Sequence, residues 1–192
     1  MKELSLNILD IVQNSITAKA SLVTVTLTET ETELTIAIGD NGCGMSEEMV
    51  KNVVDPFCTT RTTRKVGLGI PLFRLAAEQT GGSLSVTSKT AEADPVHHGT
   101  TTTASFHKDH LDFTPLGDVI STMCTIVQGA PQVDFVFTHT YLGNLVSFDT
   151  RELREQLGEI PLDTPEVLVW LKEYLQEQYQ NLYSIEKEGT QP

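Results

Sequence analysis

Apolar residues recur at spacings of three and four at the start of the chain. Between residues 3 and 18 they are Leu4, Ile8, Ile11, Val12 and Ile16. That spacing places all of them on one face of a helix. From Leu22 the pattern changes to alternation of apolar and polar residues, in two runs on either side of the polar TETETE at 28–33. We therefore predict a helix followed by an antiparallel hairpin.

The middle of the chain carries signals for two more helices and two more strands. SEEMVKNVVD predicts a short helix at 46–55, and a second helix near 69–80 ends at Gly81-Gly82. SLSVTSKT and TTTTASF alternate as strands do. The order helix, two strands, two helices, two strands is typical of an α+β fold in which an antiparallel sheet carries helices on one face.

Residues 110–192 have helix and strand patterns of their own. Thr114-Pro115 has the residue types of an N-cap and first turn, and predicts a helix over 116–127 that ends at Gly129. VDFVFTHTYLGNLVSF predicts a hairpin that turns at Leu142-Gly143-Asn144. We expect a smaller α+β extension, separated from residues 1–109 by a boundary near residue 110.

Two further helices are predicted at the end of this extension. Asp149 and Glu152 match a capping box for RELREQL, and Gly158 follows that segment as a stop. Thr164-Pro165 opens a last helix with a leucine stripe. That stripe favours a place in the core, with a face that docks a partner or a second copy as the alternative.

The net charge of the chain disfavours some classes of binding partner. The net charge of −13 is uneven, with −4 over residues 1–109 and −9 over residues 110–192. Nucleic acids and anionic membranes need a basic face, so neither is expected as the main partner. No apolar run approaches the roughly 20 residues that span a bilayer, and the N-terminal stretch lacks a signal-peptide core. We therefore expect a cytoplasmic protein.

Two glycine-rich patches are candidates for chemistry. DNGCGM at 40–45 is by itself a strong turn signal, and GLG at 67–69 precedes a predicted helix whose N-terminal amides would attract an anion. Neither a complete GxGxxG pattern nor the GK[ST] of a P-loop is present. Three cysteines without CxxC spacing favour neither a disulfide framework nor a zinc site. Taken alone, each patch is more typical of an ordinary turn than of a nucleotide site.

The order of the motifs is more specific than any one of them. Asp10 and Asn14 on the first helix, then DNGCGM, DPFCTT, GLG and HGTT, follow one another over residues 7–106. This series resembles the histidine-kinase-like ATPase superfamily with its Bergerat ATP-binding fold, which includes sensor kinases, anti-sigma serine kinases, DNA gyrase B-type and mismatch-repair ATPases and heat-shock chaperones. Short-lid sensor kinases are the members to which residues 55–86 look most similar. The resemblance implies a Bergerat-type α/β sandwich over residues 1–109, with ATP and Mg²⁺ as cofactors.

The resemblance also implies roles for residues of the first half. Asn14 would be the magnesium ligand, and Asp10, one helical turn earlier, the candidate catalytic base. Asp40 would accept a hydrogen bond from the adenine amino group. The residues that would lie against the adenine ring are Gly42, Gly44 and Met45.

The remaining implied contacts concern the phosphates and the last strand. Phe57, Thr59 and Thr60 match the start of the lid, and Gly67, Leu68 and Gly69 match the segment that wraps the phosphates. Arg61, Arg64 and Lys65 could neutralise the phosphates or be solvated loop residues. Gly99 with Thr100 matches the last motif, although Thr101 is an alternative within the run of four threonines.

Two functions remain open at this point. None of the five histidines lies on a helix ahead of the domain, so we expect no autophosphorylation in the geometry of sensor kinases. A transducer domain of the gyrase type and a DNA-binding surface are not evident either. We expect phosphoryl transfer to a separate protein partner or slow ATP hydrolysis as a switch. The alternative is a non-catalytic ATP- or ADP-sensing module that controls a partner protein.

Overall fold

The computed structural model describes residues 3–54 and 68–183, which form six helices and six strands. The helices are α1 (Leu4–Thr17), α2 (Glu47–Val54), α3 (Gly69–Gln79), α4 (Val119–Gly129), α5 (Thr150–Leu157) and α6 (Pro165–Leu182). The strands are β1 (Leu22–Glu29), β2 (Glu33–Asp40), β3 (Ser83–Lys89), β4 (Gly99–His107), β5 (Asp134–Tyr141) and β6 (Asn144–Asp149).

All six strands form one sheet in the order β3-β4-β2-β1-β5-β6. Four of the five pairings are antiparallel, and β1 with β5 is the parallel one, with Val25 beside Phe137. The strands of residues 110–192 therefore extend the sheet of residues 1–109 rather than forming a second sheet. The domain boundary near residue 110 stays a prediction.

One face of the sheet is buried and the other is polar. On β1 the buried positions are Val23, Val25 and Leu27, and the alternating positions of the same strand are threonines. The same alternation runs through β2, β4 and β5, and α1, α3, α4 and α6 pack on the buried face. Because a strand points successive side chains to opposite faces, this pattern places the core between the sheet and those helices. The predicted α+β sandwich is confirmed.

The start of α4 differs from the sequence-based expectation. The helix begins at Val119, and its N-cap is Asp118, whose carboxylate accepts a 2.9 Å hydrogen bond from the Ser121 amide. The prediction of a start at Thr114-Pro115 was wrong. The carbonyl groups of Pro115 and Leu116 instead accept hydrogen bonds from the first amides of α1, at 3.0 and 2.8 Å. Contacts with a distant helix thus override the local capping signal.

The hairpin turn, the N-cap of α5 and the start of α6 lie where the sequence predicted them, although Asp149 accepts from the amide of Arg151 and not from that of Glu152 as a capping box requires. Leu142 and Gly143 have φ values of 47° and 95°, as a two-residue turn between β5 and β6 requires. Asp149 caps α5 through the Arg151 amide, and the Arg151 guanidinium binds both oxygens of the same carboxylate. Gly158 ends α5 with a φ of 62°. Thr164-Pro165 starts α6 as predicted.

A buried polar cluster fastens the end of α6 to the sheet. His139 is fully buried on β5, and its ring nitrogens lie 2.9 Å from Oη of Tyr179 and 3.0 Å from Oε2 of Glu29. The other oxygen of Glu29 forms a 2.6 Å ion pair with Lys108, and Tyr183 donates to Oε2 at 3.1 Å. Burial acts to raise the pKa of Glu29, but the hydrogen bonds and charges of His139 and Lys108 lower it to about 2. Glu29 is therefore ionised, and its hydrogen bonds with His139 and Tyr183 link β1 to the C-terminal half of the chain.

No helix within residues 3–54 and 68–183 is long and apolar enough to cross a membrane.

Candidate functional site

The first helix presents an acid and an amide beside the start of the third. Asp10 and Asn14 are exposed on α1, one turn apart, because the core takes the face that contains Ile8 and Ile11. Gly69, the first residue of α3, lies against both. A Cβ added there would be 3.1 Å from Cβ of Asp10 and 3.9 Å from Nδ2 of Asn14. The absence of a side chain at Gly69 is what allows this approach.

The N terminus of α3 has the properties of an anion site. Its N-cap is Leu68, which is 64% exposed and makes no side-chain capping hydrogen bond. The leucine side chain has no polar atom that could cap the amides of Gly69 and Ile70, Pro71 has no N–H, and the helix dipole adds partial positive charge at this end. Phosphate groups bind at such helix ends. Asn14 and Asp10 are the side chains that border this end of the helix.

Asp40 lies at the end of β2 and is held by two hydrogen bonds. Oγ of Ser15 donates to Oδ2 at 2.7 Å, and the Gly42 amide donates to Oδ1 at 2.9 Å. Ser15 is buried on α1, one residue after Asn14. A carboxylate has about four lone-pair positions, so Asp40 can still accept from a ligand amino group. The aspartate is fixed in orientation without being saturated.

Strand β4 completes this side of the site. Thr100 pairs in register with Asp40, and both side chains point to the face that the helices cover, whereas Thr101 points to the other face. Oγ1 of Thr100 lies 2.9 Å from Oγ of Ser88, and the latter atom accepts a 2.7 Å hydrogen bond from the amide of Met45. This geometry favours Thr100 over Thr101 as the residue beside Asp40.

The DNGCGM loop is tied to the loop between β3 and β4. Gly44 has a φ of 69°, and a Cβ added there would lie 1.8 Å from the carbonyl oxygen of Lys89, so no other residue fits without a shift of the backbone. Nδ1 of His98 lies 2.6 Å from the carbonyl oxygen of Gly42. The 90–98 loop is itself ordered by Asp94, whose pKa is lowered to about 2 by the amide of His97 first and then by Lys89.

Several predicted lid residues cannot be placed. Residues 55–67 lie outside the described part of the structure. They include Phe57, Thr59, Thr60, Arg61, Arg64, Lys65 and Gly67. Their assignment to a lid stays a prediction.

Three polar residues of the site were missed by the sequence reasoning. Ser15 supports Asp40, Ser88 joins Met45 to Thr100, and His98 fastens the DNGCGM loop. Ser15 had a detectable signal, because it is a polar residue within the apolar stripe of α1. Ser88 and His98 had none, since their partners in the DNGCGM loop, Met45 and Gly42, are 43 and 56 residues away in the sequence.

Comparison with known proteins decides the family. Residues 2–110, more than half of the chain, match the model of the histidine kinase-, DNA gyrase B- and HSP90-like ATPases. The chain belongs to this ATPase family. Among curated proteins, no relative matches the sequence.

Solved structures agree with the fold of that family. The ATPase domain of MutL from Aquifex aeolicus, complexed with ADP, matches with a TM-score of 0.52 and 16% identity, covering 94% of this chain and 70% of that one. The N-terminal domain of a DNA repair protein also has a TM-score of 0.52 and 16% identity, covering 77% of this chain. This chain spans about half (52%) of that second structure. At this identity the likeness is evidence for the fold alone.

The family and the fold together identify the character of the site. Members of this family share the Bergerat fold, and within residues 3–54 and 68–183 Asp10 and Asn14 lie at the start of α3 while Asp40 lies at the end of β2. Family membership was thus predictable from the order of the motifs.

Proposed function

We propose that this ATPase-family chain binds ATP with Mg²⁺ between α1, α3 and the ends of β2 and β4, and uses it to act on a protein partner. The action is either transfer of the γ-phosphoryl group to that partner or slow hydrolysis that switches its interaction. Both require the same pocket and differ in the acceptor of the phosphoryl group.

One observation carries the proposal. The N terminus of α3 begins at Gly69 directly against Asp10 and Asn14. This brings an anion site, a hard oxygen donor and a carboxylate together, which are the groups that ATP and magnesium chemistry needs. Asp40, oriented by Ser15 and Gly42, supplies a separate acceptor for the adenine amino group.

The donor set fits a magnesium ion that is shared with a nucleotide. Within the described residues no cluster of three or more His, Cys, Asp or Glu side chains could hold a metal alone. Mg²⁺ is usually held by one or two protein oxygens together with substrate phosphates and waters. The side-chain oxygen of Asn14 would be the protein ligand, and the bound ion would neutralise phosphate charge.

Asp10 is the candidate base. In either reaction an oxygen or nitrogen nucleophile forms a bond to the γ-phosphorus, the bond to the β,γ-bridging oxygen breaks, and ADP leaves. The carboxylate of Asp10 would accept the proton that the nucleophile loses. Its exposed place beside Gly69 leaves room for a water molecule or a partner side chain.

Calorimetry with ATP and MgCl₂ tests the pocket. We expect binding in the micromolar to millimolar range for the wild-type chain, and a loss of affinity of at least about 100-fold for Asp40→Asn, since a donor then replaces the acceptor that faces the adenine amino group. An unchanged affinity of Asp40→Asn would contradict the proposed adenine contact. Glu31→Gln, on the β1–β2 turn, is the matched control.

Turnover separates the two kinds of function. Radiolabelled ATP with the protein alone measures released phosphate, and we expect Asp10→Asn to lower this rate by at least about 100-fold while ATP affinity changes little. If wild type and Asp10→Asn release phosphate equally slowly, the chain alone is not an ATPase, which leaves phosphoryl transfer to a partner and nucleotide sensing as its possible actions.

The non-catalytic alternative is supported by one contact. The first amides of α1 bind the carbonyl groups of Pro115 and Leu116, which lead into α4. A nucleotide that shifts α1 would thereby act on residues 110–183 without any chemical step. A sensing module predicts ATP- or ADP-dependent partner binding that Asp10→Asn leaves intact.

A further inference from the structure

An apolar groove lies between α5 and α6, on the part of the sheet that residues 110–183 add. Its volume is about 590 Å³, and its apolar lining consists of Leu153, Leu157, Ile160, Val167 and Trp170. Ile160 and Trp170 are 52% and 45% exposed. Side chains of this size, clustered at the surface, indicate a contact that the described chain does not itself supply.

The groove continues past Trp170 toward β5 and β6. A second depression of about 440 Å³ shares Leu153, Gln156 and Trp170 with the first, and reaches Phe148 and Tyr174. The rings of Trp170 and Tyr174 are stacked, with centroids 5.1 Å apart and planes 14° apart. The two depressions therefore form one continuous channel with an aromatic wall.

The rim of the groove is acidic. Residues 149–173 contain seven acids and three bases. Two bases are occupied within the chain, Arg151 by Asp149 and Arg154 by Asp134. The pKa of Asp118, the N-cap of α4, is lowered first by hydrogen bonds from Ser121 and then by the nearby charge of the third base, Lys172. The bases therefore leave the negative charge of the rim largely uncompensated.

Three of the acids belong to the lining itself: Asp149, which is paired with Arg151, and Glu152 and Glu166. Glu166 borders the first depression and Glu152 the second. Neither carboxylate forms a salt bridge with any residue in 3–54 or 68–183. Carboxylates at the edge of an apolar channel favour an occupant that is apolar in the middle and basic at the sides.

The charge of the whole chain selects between a second copy and another protein. Two copies that met through this face would bring together molecules of net charge −13, each with an acidic rim. Like charges at close range disfavour such a contact, whereas a basic partner gains both steering and affinity.

The length of the groove fits a helix. Its residues on α6 run from Glu166 to Tyr174, which is roughly 12 Å at 1.5 Å per residue. Apolar anchors at positions i, i+3 or i+4, and i+7 of a docked helix span about 10.5 Å. Two turns of helix therefore match the channel.

We propose that the groove between α5 and α6 docks an amphipathic helix of a partner protein, with apolar side chains seated against Trp170 and lysine or arginine side chains facing Glu152 and Glu166. This site is separate from the nucleotide pocket and does not depend on the proposed ATP chemistry.

Trp170 is the only tryptophan of the sequence, so its fluorescence reports on the groove directly. The full chain is titrated with a synthetic 14-residue helical peptide of leucine and lysine, without aromatic residues, and with a leucine–glutamate peptide of the same pattern. We expect a blue shift of Trp170 emission with the basic peptide and none with the acidic peptide, because an apolar helix face displaces water from the indole ring.

Matched variants separate docking from general attraction to an acidic protein. The double variant Glu152→Lys with Glu166→Lys should weaken peptide binding at least about tenfold. The control is the double variant Glu47→Lys with Glu48→Lys, on α2 beside the opposite edge of the sheet, which should weaken binding less than about threefold. Ile160→Ser should also weaken peptide binding about tenfold. Leu111 is 97% exposed and lies outside the groove, so Leu111→Ser should hardly change the affinity for the peptide. Circular dichroism verifies that each variant is folded.

Several outcomes would overturn the proposal. Equal loss of affinity in the two double-lysine variants would mean that charge alone attracts the peptide. Equal binding of the acidic peptide would mean that the carboxylates of the rim do not select a basic occupant. A wild-type dimer in sedimentation that Ile160→Ser dissociates would assign the groove to a second copy. Affinity that rises tenfold when residues 184–192 are deleted would assign it to the chain's own C terminus.

Discussion

The hydroxyl of Ser15 lies 2.7 Å from Oδ2 of Asp40, and this hydrogen bond joins α1 to the end of β2 inside the candidate nucleotide site. Ser15 is 3% exposed, so water cannot replace it as a donor. The Gly42 amide holds the other carboxylate oxygen at 2.9 Å. Asp40 is thereby fixed by donors from two different elements, with the helix contributing the side chain next to the proposed magnesium ligand Asn14.

Removal of that hydroxyl should weaken nucleotide binding without abolishing it. We expect Ser15→Ala to raise the dissociation constant for ATP by about three- to tenfold, because a buried hydrogen bond that orients a binding group is worth roughly 1 kcal/mol. Calorimetry measures the change. Ser15→Thr, which keeps a hydroxyl, should restore most of the affinity, and Thr17→Ala on the exposed side of α1 is the control. Equal affinities of wild type and Ser15→Ala would show that Gly42 alone is sufficient to orient Asp40.

The Glu29 cluster should make stability depend on acidic pH. The pKa of Glu29 falls from 4.5 to about 2 on folding, so its ionised form stabilises the folded chain above pH 4.5, and this contribution is lost as the pH falls from 4.5 toward 2. We expect Glu29→Gln to lower the free energy of unfolding at pH 7 by about 2 kcal/mol, since the ion pair with Lys108 is lost and the hydrogen bond to His139 is weakened. Urea denaturation at a series of pH values measures the difference from wild type.

The pH profile distinguishes this cluster from a loss of packing. The gap between wild type and Glu29→Gln should shrink below pH 4.5, where the wild-type carboxylate begins to lose its advantage. Glu31→Gln, an exposed neighbour, should show no gap at any pH. A gap of constant size from pH 7 to pH 3 would mean that the charge of Glu29 does not stabilise the fold.

Asn7 is a buried polar residue without a visible role. It is 1% exposed on α1, and both polar atoms of its side chain lack a hydrogen-bond partner in the described structure. An unpaired buried amide costs about 1 to 3 kcal/mol. We expect Asn7→Leu to raise the free energy of unfolding by about 1 kcal/mol and to leave ATP affinity unchanged. Gln13→Leu, on the exposed side of the same helix, should alter stability by less than about 0.5 kcal/mol. A loss of stability in Asn7→Leu would reveal a partner of Asn7.

The sequence by itself determined much of the fold and the family. The apolar stripe of α1, the alternation in β1 and β2 and the stop signals at Gly81-Gly82 and Gly158 are local, and each produced the expected element. The order of motifs over residues 7–106 predicted the ATPase family, since it depends on residue types and separations that a linear sequence displays.

Tertiary structure decided what depends on contacts between distant segments. Only the folded chain places β5 in parallel beside β1, puts the N-cap of α4 at Asp118 instead of Thr114, and brings Ser15 to Asp40 across 25 residues. It also makes the groove beside Trp170, whose walls come from α5, α6 and the edge of the sheet. Local periodicity specifies which face of an element is apolar, but it carries no information about which other element will cover that face. That choice is made by packing and hydrogen bonding across the whole domain.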